Sequence, residues 1–247
     1  MTIRVSVCIA TYNGEKYIAR QLESIASQLS PDDEIVLVDD QSSDRTLDIV
    51  RSLDFGILKI VRAPSRGGPT AAFGLALQHA RGEFIFLSDQ DDVWLPGKVE
   101  KMLSALERAD LVVSDACVVD EKLGPIFPSF FVLRGSKPGV FRNFFRNSYV
   151  GCCMAFRAAV ARAALPIPQQ VYMHDVWIGL IANLLFRVEF LPEPLILWRR
   201  HGATATVVAA TRKRLSTSIV RRRLTLALRL SGRVARLKLP RPASGGV

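Results

Sequence analysis

Three short polar clusters hold the residues best able to do chemistry: Thr11-Tyr12-Asn13-Gly14-Glu15, Asp39-Asp40-Gln41-Ser42-Ser43-Asp44 and Asp89-Gln90-Asp91-Asp92. Asp, Asn and Gly favour turns in their own right, and the first cluster alone reads as a polar turn. Three carboxylates within four residues make a stronger case, because like charges so close repel unless a cation or a positive substrate joins them. A hard divalent cation with oxygen ligands, Mg2+ or Mn2+, relieves that repulsion and also bridges phosphate oxygens. The Asp-x-Asp spacing of Asp89 and Asp91 therefore points to metal–diphosphate binding. Neither GxGxxG nor GxxxxGK[ST] occurs in the chain. That removes the usual dinucleotide and P-loop cradles and leaves a nucleotide held through a metal.

The clusters need elements to position them. Residues 4–10, 34–39, 57–62 and 83–88 are short apolar runs that read as buried strands. Between them, 17–29 places Ile18, Leu22, Ile25 and Leu29 at helical spacing, and Ser43 or Asp44 offers a cap for a helix through Leu53. Residues 69–80 read as a third helix after a flexible Gly67-Gly68 turn, and 96–106 as a fourth with Pro96 in its first turn. This alternation predicts an α/β fold with a mostly parallel, doubly wound sheet. Each polar cluster follows a strand, so all three fall along the carboxyl edge, where such sheets bind ligands. Past a strand at 111–114 the rhythm breaks. Residues 115–147 read as irregular substrate-facing structure, 176–185 as a helix after His174-Asp175, and 188–191 and 195–198 as two short strands.

Composition bounds the class. At 247 residues and 49% hydrophobic, the chain can bury a sizeable core and is not a disordered chain. The formal charge of +10 invites a nucleic-acid or membrane reading. Eleven of the 33 basic residues and none of the 23 acidic ones lie after Thr206, so the preceding body is close to neutral. A globally basic nucleic-acid-binding domain is therefore disfavoured. It remains the different-class alternative, acting through the arginine tail, but it leaves the acidic clusters unexplained. No apolar run reaches the roughly 18 residues of a membrane span, and no signal peptide is visible. Cys8, Cys117, Cys152 and Cys153 lack CxxC spacing and read as buried thiols in a reducing compartment, with Cys152-Cys153 as packing. The expectation is a cytoplasmic chain, with contact to the cytosolic face of the inner membrane open to the tail.

The segments SVCIATYNGEKYI, EIVLVDDQSSDRT and GEFIFLSDQDDVWLPGKV resemble the family 2 inverting glycosyltransferases of the GT-A fold. PSFF, NSYVGCCMAFR, MHDVWIGL and PEPLILWRRHG extend the resemblance towards bacterial rhamnosyltransferases of cell-surface polysaccharide synthesis, over roughly 3–204. The resemblance implies a GT-A domain over 1–206, with a nucleotide-binding half at 1–114 and an acceptor-binding half at 115–206. It implies a nucleotide-sugar donor, best dTDP-L-rhamnose with UDP-hexose as the alternative, and a glycan or lipid-linked saccharide acceptor. By position, Thr11, Tyr12, Asn13 and Glu15 would meet base and ribose, and Asp40 the N3–H of uracil or thymine. Asp89 and Gln90 would face the ribose or donor sugar. Asp91 would ligate the metal and His201 would approach it, while Asp92 and Trp94 shape the loop. Asp175 would be the general base, with His174 and Trp177 beside it, and Arg200 would neutralise the leaving group. The Gly202-Ala203 sequence departs from the Asn that often follows this histidine in related sequences.

Bland readings stand beside these. His174 is either an ordinary satisfied histidine or an orienting neighbour of Asp175, and His201 competes with a structural surface histidine. Trp94, Trp177 and Trp198 read as packing residues rather than sugar stackers, and Arg62 and Arg66 as a solvated loop. In the tail, 207–247, Leu215, Ile219, Leu226, Leu230, Val234 and Leu237 share one side of a helical wheel, with arginines on an adjoining arc. Leu224 and Leu228 fall on the far side. The tail is thus either an interfacial amphipathic helix for anionic lipid or a helix packed on the body or a partner. Residues 240–247 read as a disordered end.

Overall fold

The computed structural model describes residues 3–200 and 217–238. Its first half follows the expected alternation: β1 (Val5–Thr11), α1 (Ile18–Ala26), β2 (Glu34–Asp39), α2 (Thr46–Ser52), β3 (Leu58–Arg62), α3 (Gly68–His79), β4 (Phe84–Asp89), β5 (Val93–Trp94) and α4 (Lys98–Ala105). Then follow β6 (Leu111–Val119), β7 (Pro125–Phe127), α5 (Phe130–Arg134), α6 (Val140–Phe145), a 3-10 turn at Gly151–Cys153, β8 (Met154–Arg157), α7 (Ala158–Ala164), α8 (His174–Leu185), β9 (Val188–Arg199) and α9 (Thr217–Lys238).

One sheet of order β3-β2-β1-β4-β8-β6-β9-β5 runs through the chain, with β7 paired to β6. Its first four strands are parallel. Almost every residue of β1 and β2 is buried, which is why both read as continuous apolar runs rather than as alternating patterns. The sheet becomes mixed where β8 enters antiparallel between β4 and β6, a pairing no local pattern announces. The strand read as ending at Ser114 runs on to Val119, so the stretch after it is less irregular than expected. The two short strands read at 188–191 and 195–198 are one strand, β9. Its register against β6 slips between Ser114–Leu191 and Asp115–Pro194. Pro192 and Pro194 lack the N–H a ladder needs, so a bulge keeps the strand continuous.

In α1, Ile18, Leu22 and Ile25 are buried as their spacing predicts. Helices α3, α6, α7 and α9 gather around α8. Among the described residues no helix is long and apolar enough to cross a membrane.

Candidate active site at the carboxyl edge of the sheet

Register places the three polar clusters side by side: Thr11 pairs with Asp39, and Ala10 pairs with Asp89. The loops then lace together. Gln90 Oε1 accepts from Thr11 Oγ1 (2.6 Å) and from the Tyr12 N–H (2.9 Å), while its Nε2 donates to Tyr12 O (3.1 Å). The Asn13 N–H donates to Ser42 Oγ (3.0 Å), Asn13 Oδ1 accepts from the Ser43 N–H (2.9 Å), and Glu15 Oε2 accepts from the Arg45 N–H (3.1 Å). Two of these loop residues, Asn13 (φ 49°) and Gln41 (φ 67°), hold left-handed backbone. Asn tolerates that region through its short polar side chain. For Gln41 it costs on the order of 1 kcal/mol, the sort of strain that gathers at functional loops.

Asp40 is 4% exposed, and its two carboxylate oxygens accept from the backbone N–H groups of Gly67 and Gly68, each at 2.8 Å. The Gly67-Gly68 turn is thus a fixed partner of this acid rather than a loose connection. Gly68 holds φ 76°, a conformation that a side chain would strain. Arg66 and Arg62 are also engaged rather than simply solvated: the Arg66 guanidinium lies 4.0 Å above the Tyr12 ring, and Arg62 Nε approaches Asp39 Oδ2 at 3.7 Å.

The third cluster carries the electrostatic tension. Burial and the charges of Asp91 and Asp175 push the Asp89 carboxyl up to about 7. Burial and the charges of Asp91 and Asp89 push Asp92 well above the usual carboxylate range. Asp92 Oδ1 accepts from the Arg199 N–H (2.9 Å), while its Oδ2 is buried without a hydrogen-bond partner. Arg199 ties the loop down further. Its Nε donates to Asp91 O (2.6 Å), its guanidinium sits 4.8 Å above the Tyr17 ring, and Nη1 donates to Glu121 O. A donor from each of Asp89, Asp92 and Cys152 lies within one 4.8 Å cluster. Crowded carboxyls and an orphaned buried oxygen fit a divalent cation. Without a cation, the Cys152 thiol is held well above the usual range by its hydrogen bond with Cys153, its burial and the nearby Asp92 and Asp89 charges, and its hydrogen bonding lowers both carboxyls. A hard Mg2+ or Mn2+ prefers the carboxylate oxygens to the sulfur.

Asp175 opens α8. It is 4% exposed, and its Oδ1 accepts from the Val176 N–H (2.6 Å). Burial raises its carboxyl to about 7, against hydrogen bonds from the Val176 and Gly151 backbones that lower it. Its charge reaches Asp89, so the base-like acid and the metal-like acids share one field. His174 does not behave as a visible clamp on Asp175. Its ring stacks on Phe73 (centroids 4.0 Å apart), its Nε2 is buried without a partner, and burial pushes it down to about 3, keeping it neutral. Trp177 is packing: its Nε1 donates to Ala164 O (2.8 Å). Trp94 is buried against Phe86, with ring centroids 5.7 Å apart, and lies under Lys98. Arg200 lies over Trp198 (5.1 Å) within the field of Asp91, and its Nη1 is buried and unpartnered. His201 lies outside the described residues.

Sequence reasoning missed four contributors. The Arg199-Arg200 pair signals a cation here but does not say that Arg199, rather than Arg200, ties down the Asp91-Asp92 loop. The Gly67-Gly68 amides and the Gly151 amide carry no signal in side-chain identity, because the backbone does the work. The apolar neighbours of Cys152 point to packing, and nothing local signals its place beside Asp89 and Asp92.

Acid-rich loops gathered at the carboxyl edge of an α/β sheet, with the buried Asp175 in their field, frame a ligand site of the kind such enzyme folds carry there. Residues 6–165 match the family described as Glycosyl transferase family 2, and the chain belongs to that family. It is 42% identical over 94 residues to the poly(ribitol-phosphate) beta-N-acetylglucosaminyltransferase TarS of Staphylococcus aureus, covering 36% of this chain and 16% of that protein. It is 31% identical over 102 residues to the UDP-Glc:alpha-D-GlcNAc-diphosphoundecaprenol beta-1,3-glucosyltransferase WfgD of Escherichia coli, covering 41% and 40%. The fold matches TarS residues 1–349 in complex with UDP-GlcNAc (TM-score 0.72, 21% identity, 96% of this chain and 68% of that one). It also matches the mannosyltransferase PcManGT of Pyrobaculum calidifontis with GDP-Man and Mn2+ (TM-score 0.61, 23% identity, 98% and 66%). The chain spans less than half the length of these curated relatives.

Proposed function

We propose that this chain is a metal-assisted inverting glycosyltransferase, moving a sugar from a pyrimidine nucleoside diphosphate to a hydroxyl of a glycan or lipid-linked saccharide. The observation that carries the reading is Asp175, buried at the start of α8, in the field of an acidic loop that the register sets beside the Thr11 and Asp39 loops at the sheet's carboxyl edge. Burial raises its carboxyl to about 7. A group of that proton affinity suits a general base near neutral pH. A glycoside hydrolase would instead need two carboxyl groups flanking the bond and a water between them.

In this reading the acceptor O–H gives its proton to Asp175 as its oxygen attacks the anomeric carbon. The bond to the diphosphate breaks on the opposite face, and its electron pair leaves with the phosphate. Arg200, with an unpartnered buried N–H, meets the charge developing there, and His201, next in sequence, is assigned to the metal on the family resemblance alone. Asp89 and Asp92, whose ligand atoms cluster, together with Asp91 next to them in the loop, would hold Mg2+ or Mn2+, which when bound neutralises the diphosphate. Thr11, Tyr12, Asn13, Glu15 and Gln90 line the nucleotide. Asp40 already accepts two amides, and each of its oxygens keeps a lone pair for a base N–H.

For the donor we propose dTDP-L-rhamnose, on the resemblance to bacterial rhamnosyltransferases. UDP-hexose is the second reading, supported by the N-acetylglucosaminyl and glucosyl transfer in the names of TarS and WfgD. The WfgD name also supports a lipid-linked acceptor. A thermal-shift panel of nucleotide-sugars with Mg2+ and with Mn2+ separates the donors. Stabilisation by dTDP-rhamnose over UDP-glucose and UDP-N-acetylglucosamine is expected, and the reverse order overturns the rhamnose assignment. No stabilisation by any nucleotide-sugar overturns the transferase reading.

A further inference from the structure

The tail helix α9 presents two apolar faces, and only one is used by the body. Leu226, Leu230 and Val234 turn inward, with Leu230 6% exposed. Arg233 Nε donates to Ala163 O (2.8 Å) at the end of α7. The middle of the stripe expected to meet lipid is therefore occupied, while Leu237 at its end is exposed and the Leu215 and Ile219 side chains lie outside the described residues. On the outward face Leu224 (60% exposed) and Leu228 (72% exposed) stand one turn apart, near exposed Arg221, Arg222, Arg229 and Arg236.

A second exposed apolar pair lies on α6, which α9 reaches through Arg223 on the flank of its buried face. Arg223 lies 5.1 Å above the Phe145 ring and donates to Phe145 O (2.8 Å), which joins the two helices. There Phe141 is 84% and Phe145 60% exposed. Large apolar side chains left this bare on two adjoining elements mark an interaction surface. Its charge is one-sided. No Asp or Glu occurs from Lys122 to His174, a stretch with seven Lys or Arg, and none occurs after Thr206. At its other side Arg222 lies 4.4 Å above the ring of Tyr172, three residues before Asp175.

We infer that α6 and α9 together form a docking surface for an anionic lipid bilayer, with Leu224, Leu228, Phe141 and Phe145 entering the interface and the surrounding arginines meeting the headgroups. Apolar groups that insert combined with cations that attract are the two signals stable peripheral binding needs. A nucleic acid would use the cations and leave the four apolar side chains idle. The Arg222–Tyr172 contact puts the bilayer beside the segment that leads into Asp175, the side from which a lipid-linked acceptor would arrive.

The test is co-sedimentation of the full chain with vesicles of phosphatidylcholine containing phosphatidylglycerol, against phosphatidylcholine alone and against a DNA duplex. L224S/L228S and F141S/F145S keep every charge and change exposed positions on separate helices. Each is expected to weaken binding to anionic vesicles at least tenfold, with an unchanged melting midpoint and unchanged duplex binding. Anionic-vesicle binding equal to the parent in both variants overturns the inference. So does parent binding that is equal on neutral vesicles, or stronger on the duplex than on anionic vesicles. The readout is partitioning, so loss of the transferase reading would leave it standing.

Discussion

At the amino ends of β1 and β2 the buried acids are fully engaged. Glu34 accepts from Ser6 Oγ (2.6 Å), from the Arg81 N–H (2.7 Å) and from Arg81 Nη2 (3.0 Å). Asp33 accepts from the Val5 N–H (2.9 Å) and the Ser30 N–H (2.8 Å). At the carboxyl ends of the same sheet, burial and the charges of Asp91 and Asp175 raise Asp89, burial and the charges of Asp91 and Asp89 raise Asp92, burial alone raises Asp175, and Asp92 Oδ2 has no hydrogen-bond partner. The fold satisfies acids where it needs only structure. At the carboxyl edge it crowds them and leaves Asp92 Oδ2 without a partner, where a cation would complete it. Unsatisfied buried charge costs stability, and its persistence at one edge is the physical mark of a site.

The sharpest way to break this contrast is Asp175→Asn. Transfer should fall about 10²–10⁴-fold, the usual contribution of a general base, with donor stabilisation retained. The same change should stabilise the protein at pH 8. The carboxyl is raised from 3.8 to about 7, which bounds the relief at about 4 kcal/mol, and 1–3 kcal/mol is expected after relaxation. The sign follows from linkage. A raised carboxyl contributes stability that is full below its unfolded value and lost as pH rises through about 7. His174, lowered to about 3, acts in reverse, losing its contribution as pH falls below 6.5. The difference between the variant and the parent, measured by denaturant melts from pH 5 to 8, isolates Asp175. Equal transfer, or a stability difference that does not grow with pH, would remove Asp175 from the base role.

The opposite edge gives the complementary change. Glu34→Gln places an amide where donors from Ser6 and Arg81 converge, and should cost about 1–3 kcal/mol of stability. Because Arg81 is largely exposed, loss of the ion pair itself adds little. Transfer rate and donor KM should stay unchanged. A change in KM would show that the two edges are coupled and the contrast too simple.

Much of this arrangement was legible in residue types. Strand, cluster, strand is a local pattern, so the three loops and the edge they share follow from it. Asp40's partners did not, because backbone amides have no letter, and Gly67-Gly68 read as a loose turn. Antiparallel β8 and the bulged β9 depend on pairing across distant sequence, which local pattern does not encode. The tail shows the same limit. A wheel ranks faces by composition, but which face the body takes depends on α8. Hence the regular stripe of Leu226, Leu230 and Val234 packs inward, and the outliers Leu224 and Leu228 face out.

The smallest expected effect bears on Cys152, where the two chemical readings of the acidic edge diverge. If its sulfur were a ligand, Cys152→Ser would weaken a soft ion such as Cd2+ more than Mn2+. If it is a protonated donor to Asp89 and Asp92, as its raised pKa and their lowering by its hydrogen bond indicate, a hydroxyl replaces it. Mn2+-dependent stabilisation should then stay within about 1 kcal/mol of the parent. Cys152→Val keeps the bulk, removes the donor, and should leave the two carboxyls less satisfied. Its stability should fall below that of Cys152→Ser, and saturating Mn2+ should narrow the gap, because a bound cation relieves the same charges. Equal melting of the two variants without metal would mean that the thiol carries no part of the tension at this edge.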